Sequence, residues 1–480
     1  VAETDETDNT LTAVLTWVDG DPVLRLQPAS LTHTVTLVTT KSQALKLVDE
    51  PRRRREVHLP VIEAELAEAL VAAGPHDLLR VMITPAERLD PGAMAAALRG
   101  AARSTRRQVI LEAARSQTER FRTDLQPTLD QLAGAGDSLG ARSLWLTGQI
   151  SARLTPAAIE ELARHPAVGH LWLDETRSET FAVTASATEL EKAAAWHIAA
   201  IKADSAWAAG ITGQGVLVGH VDTGIAYDHP DLAGRMWDGG AAWPHHGYDS
   251  LAEDDNPYDG DTDFHHGTHT AGLIAGDGAS GTATGAAPGA TLRALRAVPG
   301  YVEDMTEALQ FGLDHGVDLF NMSGGWTQPS DGVRVANRYT AELLLAVEVP
   351  WICAAGNGDN YGGHYPVPTD LASPGDSPGP WYAPNGGHTA AYTVGAVTAT
   401  LAVWEGSSIG PTAWNLENTQ GETDYHDYPY APGLIKPDIA APGVNITSCA
   451  GSSGYVAYSG TSMACPLITG AFSLLWSAAP

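Results

Sequence analysis

Three short segments of the chain hold the side chains of a hydrolytic triad, in the order aspartate, histidine, serine. Their sequences are VDTG at 221–224, HGTH at 266–269 and GTSMA at 460–464. A serine hydroxyl becomes an effective nucleophile when a histidine takes its proton, and a buried carboxylate must hold that histidine in one tautomer. Asp222, His266 and Ser462 can fill these three roles.

Each segment also has an alternative interpretation. A DTG triplet is common where a strand ends in a turn, HGTH can be a metal-binding or core histidine pair, and GTSMA can simply begin a helix. The joint occurrence of all three favours the hydrolytic interpretation. The order excludes the chymotrypsin arrangement (His, Asp, Ser) and the α/β-hydrolase arrangement (Ser, acid, His). The segments and their order resemble those of the subtilisin-like serine peptidases.

This resemblance implies an α/β fold, with a mainly parallel sheet, helices on both faces and the triad at the carboxyl ends of strands. It implies that Ser462 attacks the scissile carbonyl, His266 acts as general base and then general acid, and Asp222 orients the imidazole. Asn357 ends the segment CAAGN, after an apolar run at 349–352. In the family that asparagine faces the developing oxyanion, and catalysis needs no cofactor.

A further segment, NMSGGW at 321–326, resembles the family strand that pairs with substrate backbone. Ser323, Gly324 and Gly325 are therefore expected to bind substrate. The segment is one residue short, so Trp326 either fills the pocket for the fourth residue before the cut or caps the core. Two aromatic insertions, 358–392 and 412–433, either set substrate choice or stabilise their own loops.

Composition limits the class of protein. The chain has 480 residues and a net charge of −29, so two or three domains are expected. Residues 1–185 hold 20 basic and 25 acidic side chains, whereas residues 186–480 hold 8 and 32. This acidity disfavours nucleic acid and membrane surfaces, although codon bias or a high-salt source also explains it. No apolar run approaches the roughly 18 residues that span a bilayer.

The spacing of apolar residues predicts an α+β domain before the peptidase. Strands are expected at 78–83, 144–152 and 168–173, with a helix at 156–164 and a long basic helix at 92–132 that breaks near Pro127. The order is close to β-α-β-β-α-β and resembles the ferredoxin-like, inhibitor-like propeptide of the family. Its arginine-rich helix either docks on the acidic domain or is a solvated face.

The sequence is thus divided into four parts. Residues 1–72 are an extension with short β-strands and no assigned function, and residues 73–175 are a pro-domain that inhibits and assists folding. Residues 176–195 are a cleavable linker, cut between 181 and 191, and residues 196–480 are the catalytic domain. Since only 18 residues follow Ser462, a C-terminal truncation is expected. The first residues lack the pattern of an export signal, and the signal is expected to have been removed already.

Calcium is the metal that the sequence predicts. Seven acidic residues lie between 249 and 263, in a segment that resembles a calcium loop of thermostable relatives, and Asp249, Asp254 and Asp259 are the expected ligands. An acidic solvated loop is the alternative. The chain has three cysteines, and inert burial is expected for them, with a bridge between Cys449 and Cys465 as the alternative.

These observations predict a secreted, monomeric serine endopeptidase. It would be made as a self-processing zymogen, would be inhibited by its own pro-domain and would hydrolyse protein or peptide substrates through an acyl-enzyme on Ser462. A maturation protease dedicated to one partner is the first alternative. A non-catalytic binding scaffold is the second, and the intact set of Asp222, His266, Asn357 and Ser462 disfavours it.

Overall fold

The computed structural model describes residues 61–181, 196–260, 264–281, 283–358, 370–378, 391–412 and 435–479, together with Thr389 and the backbone of six short strands elsewhere. Three of these strands form an antiparallel sheet near the start of the chain, with the second strand in the centre. They are β1 (Leu11–Val18), β2 (Asp21–Pro28) and β3 (Val35–Leu37). Short strands are what the sequence predicts there.

Residues 61–175 form an α+β domain, called the N-terminal domain below. Its elements are α1 (Ala64–Ala72), β4 (Leu79–Pro85), α2 (Pro91–Ala97), α3 (Arg103–Ala135), β5 (Ser138–Leu144), β6 (Gln149–Leu154), α4 (Pro156–Leu162) and β7 (Val168–Leu173). The four strands form an antiparallel sheet in the order β5-β6-β4-β7. From β4 onward the element order is β-α-α-β-β-α-β, which differs from the predicted β-α-β-β-α-β in having two helices between the first two strands.

Three details of this domain differ from the sequence-based expectation. The strand expected at 144–152 is instead the end of β5 and most of β6, with a turn at 145–148 between them. The long helix is interrupted at 98–102 and not at Pro127, because buried Leu125 and Leu129 pack on the sheet on either side of the proline. This packing offsets the roughly 3 kcal/mol that a proline costs inside a helix. Helix α1 also belongs with this sheet, since Leu66 is completely buried in its core. The division at residue 72 therefore separates a helix from the sheet that it covers.

The remaining residues form the catalytic domain and the segment leading to it. Their elements are β8 (Glu179–Thr180), β9 (Val183–Thr184), α5 (Trp196–Ala200), α6 (Ala203–Ala208), β10 (Leu217–Asp222), α7 (Pro230–Ala233), β11 (Gly247–Asp249), α8 (His266–Ala275), β12 (Thr291–Arg296), α9 (Val302–Asp314), β13 (Leu319–Met322), β14 (Gly324–Gly325), α10 (Asp331–Ala346), β15 (Trp351–Ala354), β16 (Trp381–Tyr382), β17 (Gly386–Gly387), β18 (Ala391–Val397), β19 (Ile439–Pro442), β20 (Ile446–Ala450), β21 (Gly454–Ser459) and α11 (Thr461–Ala478).

Seven of these strands form one parallel sheet in the order β11-β12-β10-β13-β15-β18-β19. Helices α8 and α11 belong to one buried apolar cluster, and α9 and α10 belong to another. The predicted α/β fold, with a mainly parallel sheet, is confirmed. β10 ends at Asp222, α8 begins at His266 and α11 begins at Thr461, one residue before Ser462, so the sheet brings the three segments together.

Helix α11 is the one helix in the described ranges that is long and apolar enough to cross a membrane, although the sequence was expected to hold no such stretch. It lies in the protein core, with 67% of its residues buried. A helix that is covered on most sides is apolar on most sides, which explains its composition.

The N-terminal domain shares a buried core with the catalytic domain. Met82 and Trp172 belong to the same apolar cluster as residues of α9 and α10. The carboxylate of Asp174 accepts hydrogen bonds from two backbone N–H groups in the first turn of α9, at 3.1 Å each. Glu63 accepts one from Gly332 N, at 2.8 Å, in the first turn of α10. The N-terminal domain thus caps two helices of its neighbour.

Candidate active site

Asp222 and His266 form a buried hydrogen-bonded pair. Asp222 is the last residue of β10, His266 is the first residue of α8, and His266 Nδ1 lies 2.6 Å from Asp222 Oδ1. The two side chains are 1% and 0% exposed. Burial by itself raises the pKa of Asp222, but its charge interaction and hydrogen bond with His266 outweigh burial and hold that pKa below its usual value. Asp222 is therefore an ionised acceptor that holds the imidazole.

Ser462 is the second residue of α11, and its backbone N–H is one of the free donors at the start of that helix. Its Oγ donates to the Ser323 carbonyl at 2.6 Å and accepts from Phe181 N at 2.9 Å. In the described part of the chain, His266 Nε2 is buried without a hydrogen-bond partner. The serine hydroxyl thus makes no hydrogen bond to the histidine in this state, and the two groups must approach each other before a proton passes between them.

Asn357 follows β15 and lies beside the start of α11. Its Oδ1 accepts hydrogen bonds from the N–H and the hydroxyl of Thr461, at 3.0 and 2.9 Å. These two donors fix the orientation of the amide, so Nδ2 is its remaining donor. Nδ2 is buried and has no partner among the described residues. A carbonyl oxygen that becomes negatively charged in this cleft is the partner that such a donor lacks.

The chain itself occupies the cleft. Strand β8 pairs antiparallel with β14, so that Thr180 lies opposite Gly324 and Glu179 opposite Gly325. Phe181 is completely buried, and its carbonyl oxygen accepts a hydrogen bond from Ser462 N at 3.1 Å. Beyond it, β9 pairs antiparallel with β21. The backbone therefore crosses the site from one side of Ser462 to the other, as a bound peptide would.

The glycines of β14 allow this close approach. A Cβ on Gly324 would lie 2.6 Å from the Glu179 carbonyl oxygen, and one on Gly325 would lie 2.2 Å from the Ser373 carbonyl oxygen. Of the three predicted substrate-binding residues, Gly324 and Gly325 pair with the segment in the cleft, and the Ser323 carbonyl accepts a hydrogen bond from Ser462 Oγ. Trp326 is buried, and its Nε1 donates to the Thr176 carbonyl at 2.9 Å. The two insertions, expected to influence specificity, lie largely outside the described residues.

Among the described residues, the predicted calcium ligands Asp249, Asp254 and Asp259 are not a group whose ligand atoms lie close enough together for one metal ion. Both oxygens of Asp249 are committed: Oδ2 pairs with Arg296 at 2.5 Å, and Oδ1 accepts from two backbone N–H groups. Asp259 Oδ2 accepts from the N–H and hydroxyl of Thr268, at 3.0 and 2.6 Å. Asp254 Oδ1 accepts a hydrogen bond from the backbone N–H of Asn256, two residues later in the chain, at 2.9 Å. These carboxylates fit roles within the protein rather than a shared cation, because each has donors that a cation would have to displace.

Asp259 instead supports the start of helix α8. It also accepts a hydrogen bond from Thr223 Oγ1 at 3.2 Å, so it links the segment after β10 to that helix. Burial raises its pKa to about 6, against the effect of its hydrogen bonds with Thr268. Sequence reasoning missed this role, because Asp259 lies among many other acids.

The described ranges contain one group of three residues whose ligand atoms lie close enough for a metal ion, His229, Asp231 and Cys449. Asp231 already accepts hydrogen bonds from Ser280 and Tyr455, and His229 Nε2 lies 3.0 Å from the Gly454 carbonyl. All three cysteines of the chain are buried and free. The structure therefore shows the expected burial of the cysteines and no bridge between Cys449 and Cys465.

Comparison with known proteins agrees with this geometry. The family model described as the subtilase family matches residues 213–480. Serine protease AprX of Bacillus subtilis (strain 168) is 33% identical over 298 residues, which cover 55% of this chain and 58% of that protein. Subtilisin E of the same strain is 28% identical over 335 residues, covering 69% and 71%. An alkaline protease of Alkalihalobacillus alcalophilus is 28% identical over 331 residues, covering 68% of each chain.

The matched region contains Asp222, His266, Asn357 and Ser462, which the fold brings to one cleft. The match to AprX covers just over half of that relative, so it does not extend over the whole of that protein. The chain belongs to the subtilase family of serine peptidases.

Proposed function

We propose that this protein is an exported serine endopeptidase made as a zymogen that cuts its own chain between Phe181 and Ala182. The observation that carries the proposal is the hydrogen bond from Ser462 N to the Phe181 carbonyl oxygen, at 3.1 Å. That carbonyl lies where the oxyanion of a peptide substrate forms. The bond that follows Phe181 is therefore the one presented for cleavage.

The proposed reaction uses the groups of the cleft in turn. Once the two side chains have approached each other, Ser462 gives its proton to His266 Nε2 and its Oγ bonds to the Phe181 carbonyl carbon. Ser462 N and Asn357 Nδ2 stabilise the resulting oxyanion. His266 passes the proton to the departing Ala182 nitrogen as the C–N bond breaks. Water then hydrolyses the ester, which leaves Phe181 as a free carboxylate and restores Ser462.

The residues before the cut have contacts that persist after it. Ser178 N donates to the Gly300 carbonyl at 2.7 Å, on the side of the segment opposite β14. Together with the shared core and the two helix caps, these bonds hold the N-terminal domain in place. It would therefore act as an intramolecular inhibitor that still occupies the cleft once the chain is cut. The same contacts define a substrate as a peptide with an aromatic or other large apolar residue before the cut.

The test is the mass and N-terminal sequence of the products of the full chain. Wild type is expected to give a new N-terminus at Ala182, S462A is expected to remain one chain, and F181D is expected to stop or redirect the cut. F181Y is the matched control, because it keeps an aromatic ring in the pocket, and it should process at the same bond. Processing of pure S462A, or a wild-type N-terminus far from 182, would contradict the proposal.

A further inference from the structure

A second histidine, His220, lies behind the catalytic carboxylate. It precedes Asp222 by two residues on β10, so the two side chains are on the same face of the strand. His220 is completely buried. Its Nε2 lies 2.8 Å from Thr270 Oγ1 and 4.0 Å from Asp222 Oδ2. Thr270 follows His266 by one turn of α8, so its hydroxyl lies between the two histidines and the acid.

The Thr270 hydroxyl has one proton and several acceptors. Its Oγ1 lies 3.1 Å from Asp222 Oδ2, 3.2 Å from the His266 carbonyl and 3.1 Å from the Gly267 carbonyl. If His220 Nε2 lacked a proton, it would compete for the hydroxyl proton at the shortest of these distances. If Nε2 carries a proton, it donates to Oγ1 and leaves the hydroxyl free to donate to Asp222.

The charge of Asp222 selects between these tautomers. A proton on Nε2 directs the positive end of the N–H dipole toward a carboxylate 4.0 Å away, in a site where neither side chain is more than 1% exposed. Burial lowers the pKa of His220 to about 4, although Asp222 opposes this, so the ring is neutral at higher pH. A neutral ring with its proton on Nε2 is a donor that adds no second positive charge beside His266.

We propose that His220 is a positioning residue for the catalytic acid, acting through the Thr270 hydroxyl. Oδ1 of Asp222 holds His266, and the Thr270 hydroxyl, held by His220, fixes Oδ2. With both oxygens bonded, the carboxylate keeps one orientation and the imidazole presents Nε2 toward Ser462. This inference rests on the proposed peptidase function of the same site.

The test compares H220N with H220Q in the processed protein, diluted until the N-terminal domain has dissociated from the cleft. Both variants carry a neutral amide, but the glutamine amide nitrogen reaches the position of Nε2 and the asparagine amide nitrogen does not. The measurement is the rate at which a fluorophosphonate labels Ser462, as a function of pH and normalised to titrated sites. We expect H220N to label about tenfold more slowly, since a hydrogen bond to a charged group typically contributes about that factor, and H220Q to stay within about threefold of wild type.

The pH profile separates positioning from mere packing. With one hydrogen-bond donor fewer, the Asp222 carboxylate stabilises protonated His266 more strongly, so the pKa of His266 rises. The acidic limb of the pH profile of labelling should therefore move to higher pH in H220N. T270V should show the same shift, T270S should not, and H220N combined with T270V should lose no more than T270V alone. H197V removes a different buried histidine, bonded to the Thr284 carbonyl, and should leave labelling unchanged.

The outcomes are distinguishable. Wild type that fails to label at Ser462 overturns the proposed peptidase. Wild type that labels, with H220N and H220Q equal in rate and in acidic limb, overturns the role of His220 alone. A double variant of His220 and Thr270 whose loss of labelling rate is the product of the two single losses also overturns the role of His220. If H220N yields no titratable enzyme, the labelling rates of H220Q and the two Thr270 variants, and the acidic limbs of their pH profiles, decide the question.

Discussion

The replacement of Asp174 by asparagine tests how the N-terminal domain is held. Asp174 is completely buried against the first turn of α9, and burial raises its pKa from 3.8 to about 7, against the effect of its two backbone hydrogen bonds. In the separated domains this carboxyl group would face water and titrate near its ordinary value. The bound state therefore takes up a proton between about pH 4 and pH 7.

The sign of the effect follows from this uptake. Because the pKa is higher in the complex, binding is strongest below about pH 4 and weakens as the pH rises through 7. A shift of about three units is equivalent to about 4 kcal/mol, or about a thousandfold in the dissociation constant. Glu63 and Glu307 add to the same trend, since burial also raises the pKa of each to about 7.

The assay is the appearance of peptidase activity when the processed complex is diluted at a series of pH values. In wild type, the logarithm of the dissociation constant should rise with pH. In D174N, the slope of that logarithm against pH should be smaller by about one near pH 6, because binding takes up one proton fewer. D130N is the matched control, because Asp130 is exposed on α3 and accepts a hydrogen bond from Gln126 of the same helix. A slope that is the same in D174N and D130N, or tighter binding at higher pH, would refute this reasoning.

Three further predictions concern single side chains. Asn357→Ala should lower kcat about 10²- to 10³-fold with little change in KM, which is the loss in kcat known for removal of this donor in subtilisin itself. Steady-state kinetics of active-site-titrated enzyme measure it. G332A should weaken binding of the N-terminal domain without changing kcat, because its Cβ would lie 2.4 Å from the Trp172 ring; unchanged inhibition would contradict this. Arg106→Ala removes a partly exposed ion pair with Glu348, so binding should weaken only about twofold, and high salt should abolish the difference between the proteins.

Part of the fold could be predicted because its signals are local. The order of strands and helices in the N-terminal domain follows from apolar periodicity, which each segment carries within itself. The break in the long helix could not be predicted this way. Whether the chain tolerates Pro127 depends on the sheet beneath Leu125 and Leu129, and those contacts join residues far apart in sequence.

The active site likewise has residues that the sequence could identify and residues that it could not. Asp222, His266, Ser462 and Asn357 stand in segments that are distinctive by themselves, so their chemistry could be assigned without coordinates. The calcium ligands could not be assigned reliably, because a row of acids does not reveal that Asp249 pairs with Arg296. A carboxylate binds a cation only when its other partners leave its oxygens free, and those partners lie on other strands.

The sequence by itself indicated a serine peptidase through its local motifs, the parallel architecture through the family resemblance of those motifs, and an N-terminal α+β domain through apolar periodicity. Only the tertiary structure decided that Phe181 occupies the cleft, that Asp174 caps α9 and that His220 lies behind the catalytic acid. Each of these facts depends on which segments the sheet places side by side. No local pattern records such a distance, because it results from the packing of the whole chain.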